Sequence, residues 1–93
     1  MTVHHTLTAN RGRYWIDLEP GAQAEMTYLR REDGTIIIDH TGVPPAFEGR
    51  GIALKMVKRA IDDARSGGFK IVPQCPYVAV QFRRHPDWGD LLA

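Results

Sequence analysis

The fold turns on how TIIIDHTGVPPAFEGRGIALKMVKRAIDDARSGGFKIV, residues 35–72, is divided. Its first residues, TIIIDHT, are rich in β-branched side chains and predict a strand over 35–42. Pro44 and Pro45 restrict the backbone and end it. Near Gly49 the period changes from two to 3.6. Ala53, Leu54, Val57, Ala60, Ile61 and Ala64 recur at helical spacing, which predicts a helix over 51–66 with those residues as its buried stripe. Gly67 or Gly68 suits a left-handed C-cap. The short apolar run FKIV then predicts a strand over 69–73. A helix between two strands is a crossover, so the last strand is expected to lie parallel to that at 35–42.

Upstream, RYWIDL and AQAEMTYLR alternate with a period of two and predict strands over 13–18 and 22–30, separated by a turn at Glu19-Pro20-Gly21. Asp33-Gly34 suits a tight connection into the strand at 35–42. The mild alternation of HHTLTA adds a short first strand. Downstream, residues 77–84 suit a second helix with Pro76 as its first residue. Trp88, Leu91 and Leu92 are expected to dock on the body. The whole reads as one α/β domain over 1–93: a mostly antiparallel sheet with one parallel crossover and a long helix.

Composition narrows the function. The chain has 93 residues, 43% hydrophobic and 25% charged, with a formal net charge of +1 at pH 7. That balance offers no global attraction to nucleic acid or an anionic membrane. Lys55, Lys58, Arg59 and Arg65 are broken up by Asp62 and Asp63, as on a solvated helix face. No segment approaches the roughly 20 apolar residues of a membrane helix, and no signal-peptide core is present. A single cysteine, Cys75, excludes an internal disulfide and fits a reducing compartment, so a cytoplasmic setting is expected. A domain this small buries a limited share of its surface, which leaves room for a protein partner or a weak homodimer.

The loop EGRGIA, residues 48–53, stands between strand and helix. Gly49 and Gly51 let backbone approach a ligand closely, and the unpaired N–H groups of the first helical turn can hold an anion such as a pyrophosphate. Arg50 adds a charge that pairs with phosphate. The plainer alternative is that the glycines only shape a turn. Neither the Walker pattern nor GxGxxG of a dinucleotide fold is present.

Three blocks occur in order: His40-Thr41-Gly42-Val43-Pro44, then Gly49-Arg50-Gly51-Ile52-Ala53, then Cys75 through His85-Pro86. Together they resemble the GCN5-related N-acetyltransferase superfamily, in particular its very small, NATD1-like subfamily. The resemblance implies a minimal acetyltransferase fold with acetyl-CoA in a cleft between two splayed parallel strands. It implies that Gly49, Arg50, Gly51, Ile52 and Ala53 cradle the pyrophosphate, with Val43 and Tyr77 completing the cofactor-binding set. The superfamily motif usually starts with Gln or Arg where this chain has Glu48. The subfamily usually has Tyr where this chain has Gln81, which leaves Tyr77 as the nearest phenol. By the same resemblance Cys75 corresponds to a cysteine proposed as the catalytic thiol.

From the residues alone, Cys75 is a buried filler, a thiol lining a cleft, or a nucleophile activated near a helix N-terminus. His40 is a candidate base, or it bonds within its own loop. A metal site of His40, Cys75 and His85 lacks any short ligand pair, so no metal is expected. The leading expectation is an acetyl-CoA-dependent N-acetyltransferase acting on an amine, either a small amine or a protein lysine. The alternative is a module that binds CoA or acyl-CoA without turnover.

Overall fold

The computed structural model describes residues 1–93. Strands β1 (His4–Thr8), β2 (Arg11–Leu18), β3 (Ala22–Arg30), β4 (Ile36–Gly42) and β5 (Ile71–Pro73) form one sheet in sequence order. β1 to β4 are antiparallel neighbours, whereas β5 runs parallel to β4 after the crossover through helix α1 (Ile52–Gly67). Helix α2 (Pro76–Arg84) follows, then a 3-10 turn at Pro86–Leu91. The mixed α/β architecture expected from the periodicities is the one observed. No helix is long and apolar enough to cross a membrane.

Alternation explains why these segments form one apolar layer. Tyr14, Ile16 and Leu18 of β2 are buried, and the residues facing Tyr14 and Ile16 across β3, Met26 and Ala24, are buried on the same side. Tyr28 opposite Ile38 and Ile36 opposite Ile71 carry that face across β4 and β5. Ile52, Met56, Val57, Ala60, Ile61 and Ala64 of α1 close over it. The opposite face holds no fully buried residue and is laced by polar contacts, such as Arg13 Nε donating to Glu25 at 2.9 Å.

Three details differ from the expectation. The buried stripe of α1 takes in Ile52 and Met56 rather than Ala53 and Leu54, which are only partly buried. The i, i+4 series 52-56-60-64 faces the sheet, and this turns Ala53 towards the cleft described below. β5 begins at Ile71, not at residue 69, because Phe69 still serves the helix exit. Its N–H and that of Gly68 both donate to the Ala64 carbonyl, at 3.1 and 2.9 Å. In the tail, Trp88 and Leu91 are buried as expected, but the Leu92 side chain is exposed. Leu92 is held by its backbone, through a bridge to Ile71.

A β-bulge sets up the site. Tyr28 faces Ile38, but Thr27 faces His40, so Asp39 is the inserted residue in β4. A bulge bends its strand and exchanges the faces of everything beyond it. β5 stops at Pro73, opposite Ile38, while β4 continues to Gly42. The two parallel strands therefore part where β4 bends. Cys75, whose N–H donates to the Ile38 carbonyl at 2.9 Å, stands at the point of parting.

Candidate active site

Beyond that point lies a cavity of about 500 Å³. Thr41, Gly42 and Val43 from the end of β4 form one side. Phe47, Glu48, Gly49, Gly51, Ile52 and Ala53 form another, and Tyr77, Gln81 and Arg84 form the wall from α2. Every residue assigned to cofactor binding from the sequence lines this cavity except Arg50. Arg50 instead lays its guanidinium over the Phe47 ring, 5.2 Å from the centroid. Thr41 and Arg84 were not assigned to the site from the sequence, and Gln81 stood out there only as the replacement for the subfamily's tyrosine. Tyr77, Gln81 and Arg84 follow the i, i+4, i+7 spacing of one helical face, which is the signal that finds them.

The mouth of the cavity is the start of α1. Gly51 is its N-cap with φ of 73°, a left-handed conformation that strongly favours glycine. No side chain caps the helix and no acidic residue lies in its first turn. The first intrahelical bond there is from the Lys55 N–H to the Gly51 carbonyl, at 3.2 Å. The N–H groups of Ile52, Ala53 and Leu54 thus lack acceptors within the helix, and Ile52 and Ala53 line the cavity. No Cβ stands at residue 49 or 51 to block approach. This donor set fits a pyrophosphate.

Cys75 does not itself line the cavity. It is 7% exposed, and its Sγ lies 3.2 Å from Thr41 Oγ1, which does line it. The bulge at Asp39 makes this contact possible by turning Thr41 inward. Cys75 is also the N-cap of α2, a nine-residue helix. Burial pushes the thiol up. The Thr41 hydroxyl and the backbone N–H groups of Val78, Tyr77 and Thr41 outweigh burial and hold the thiol below its usual value. Tyr77 moves the other way: burial raises its phenol, and Arg84 and Gln81 offset only part of that. It therefore stays protonated and able to donate near neutral pH.

The same bulge carries His40 to the opposite face. Its Nε2 lies 3.6 Å from Glu25 Oε2, and its side chain is largely exposed. His40 and Cys75 are therefore not brought into one cluster. His85 is held elsewhere, with Nδ1 donating to the Gln81 carbonyl at 2.8 Å and its ring stacked on Trp88 at 3.9 Å. No three His, Cys, Asp or Glu side chains converge as metal ligands, so His40, Cys75 and His85 do not form the metal set considered above.

The five-stranded sheet, with its parallel pair parting beside an uncapped helix N-terminus, thus gives an open cleft with anion-binding donors at its mouth. Residues 13–91 match the family model for GCN5-related N-acetyl-transferase. The chain belongs to that family of acetyl-CoA-using acetyltransferases. It is also similar to a GCN5-like candidate N-acetyltransferase from Staphylococcus aureus, known from a solution NMR structure. The two share 30% sequence identity and a TM-score of 0.70, over 97% of this chain and 87% of the other.

Proposed function

We propose that this protein transfers an acetyl group from acetyl-CoA to a primary amine, a small amine or a protein lysine. One observation carries the reading. The free N–H groups of the α1 first turn open into the same cavity as Thr41, behind which lies a thiol with depressed pKa. In this reading Gly49, Gly51, Ile52 and Ala53 hold the pyrophosphate, with Arg50 at the rim and Val43 along the bound chain. The sheet face opposite the helices is uncovered, so the acceptor side suits a bulky amine. His40, on that face, is the proposed base for the amine's proton.

Two routes fit the geometry. In the first, Cys75 Sγ attacks the acetyl carbonyl, CoA leaves as its thiolate, and the acetyl-Cys75 thioester then passes its acetyl group to the amine. The depressed thiol favours this route, because the thiolate is the nucleophile. In the second, the amine attacks acetyl-CoA directly, a C–N bond replaces the C–S bond, and the amine's proton is released. The position of Thr41 between the thiol and the cavity favours that one. Labelled acetyl-CoA should be screened against a panel of amines with wild type and Cys75→Ala, alongside intact-mass analysis. An acetylated wild type that matures to product, together with a folded Cys75→Ala that binds CoA without transfer, establishes the first route. An active Cys75→Ala establishes the second. A wild type that binds CoA and acetylates no amine leaves the non-catalytic CoA-binding module.

A further inference from the structure

Glu48 and Arg84 are the only charged residues lining the cleft. We infer that Arg84 is the cation that meets the pyrophosphate, reaching it from α2 across the cavity from the α1 first turn. The inference rests on the reading of this cleft as the acetyl-CoA site. A pyrophosphate held by backbone N–H groups alone would sit beside the Glu48 carboxylate with no compensating charge. Arg50, the cation within the loop, is drawn onto the Phe47 ring and does not line the cavity.

Arg84 is free to serve. Arg11, Arg13, Arg59 and Arg65 are engaged by Asp39, Glu25, Asp63 and Asp90, whereas Arg84 has no carboxylate partner. It occupies the last turn of α2, where a cation is favoured by the helix dipole, so the position tolerates an unpaired guanidinium. It lies seven residues from Tyr77 on the same helical face, and its charge is felt at the Tyr77 phenol. A guanidinium offers a planar fork of donors that matches phosphate oxygens, which a lysine does not. The start of α1 and Arg84 line one cavity, which is the observation that pairs them.

Calorimetric titration of wild type, Arg84→Ala, Arg84→Lys and Arg83→Ala with CoA and with dephospho-CoA, which lacks the 3′-phosphate, tests this. Arg83 is the exposed neighbour outside the cleft, and its removal makes the same change in net charge. Arg84→Ala should weaken CoA about 10- to 100-fold, by the same factor for dephospho-CoA. Arg84→Lys should recover part of the loss and Arg83→Ala none of it, because none is incurred. Equal affinity of Arg84→Ala and wild type overturns the inference. So does a penalty that vanishes with dephospho-CoA, since Arg84 then reads the 3′-phosphate. If wild type itself fails to bind CoA, the reading of the cleft fails first and the inference falls with it.

Discussion

The two ends of α1 each border a cavity, and they differ in what their polar groups are doing. At the C-terminal end the space is about 600 Å³, larger than the cleft at the other end. Its buried and half-buried polar groups satisfy one another, while the exposed Arg30 and Ser66 stand at its edge. Tyr14 donates to Asp63 at 2.7 Å, Arg59 Nε approaches the same carboxylate at 3.2 Å, and Arg59 also donates to the Val3 carbonyl at 2.8 Å. His5 Nε2 lies 2.6 Å from the Tyr28 hydroxyl. Gly12 allows the Tyr28 ring to lie against the backbone, where an added Cβ would overlap the ring. Burial raises the Tyr14 phenol and lowers the His5 imidazole, so both remain neutral. At the N-terminal end, the backbone donors of the first helical turn have no protein acceptor. Cavity volume therefore does not distinguish a site from a structural joint; unmet hydrogen-bonding capacity does.

That contrast can be broken most directly at Gly51. Gly51→Val forces a β-branched residue into a left-handed conformation and places side-chain atoms where the ligand's phosphates would lie. Calorimetry should show CoA binding lost, and denaturant unfolding should show a cost of about 1–3 kcal/mol. Retained CoA affinity would remove the α1 N-terminus from the site. The complementary variant is Tyr14→Phe at the closed end. It should cost about 1–3 kcal/mol of stability by removing a hydrogen bond to a carboxylate, while the CoA dissociation constant stays the same. A change in CoA affinity without loss of stability would make the second cavity part of the site.

Smaller effects sharpen the cleft itself. Alkylation of native Cys75 should rise with pH through a midpoint below that of the denatured chain, because the fold favours the thiolate. The same depression adds stability that is fully present above the thiol's unfolded pKa and is lost as pH falls through the native one. Thr41→Val should raise the native midpoint and slow alkylation near neutral pH by about tenfold, and Thr41→Ser should restore it. An unchanged midpoint in Thr41→Val would leave α2 as the source of the depression. Glu48→Gln should tighten CoA by about two- to fivefold, as expected for removal of one like charge at a solvated rim; weaker binding would mean that Glu48 orders the loop.

The architecture was legible because each element carries its own period. The β-branched run at 36–38, the change of period near Gly49 and the apolar pair Ile71-Val72 fix strand, helix and parallel return through local chemistry. Glycines before an uncapped helix likewise marked the mouth of the cleft. Facing and proximity were not legible, because they depend on register and on contacts distant in sequence. Strict alternation from Ile36 and Ile38 would turn His40 inward; one inserted residue, Asp39, turns Thr41 inward and sends His40 to the open face. Arg50 is adjacent to the cradle in sequence yet is held by Phe47, while Arg84, thirty-odd positions away, is brought to the cavity by the packing of α2. The local pattern of residues thus decided which elements form and in what order. Only the tertiary structure decided which side chains share the cleft, because a bulge and a helix docking are set by pairing between strands and by burial, and neither leaves a period in the chain.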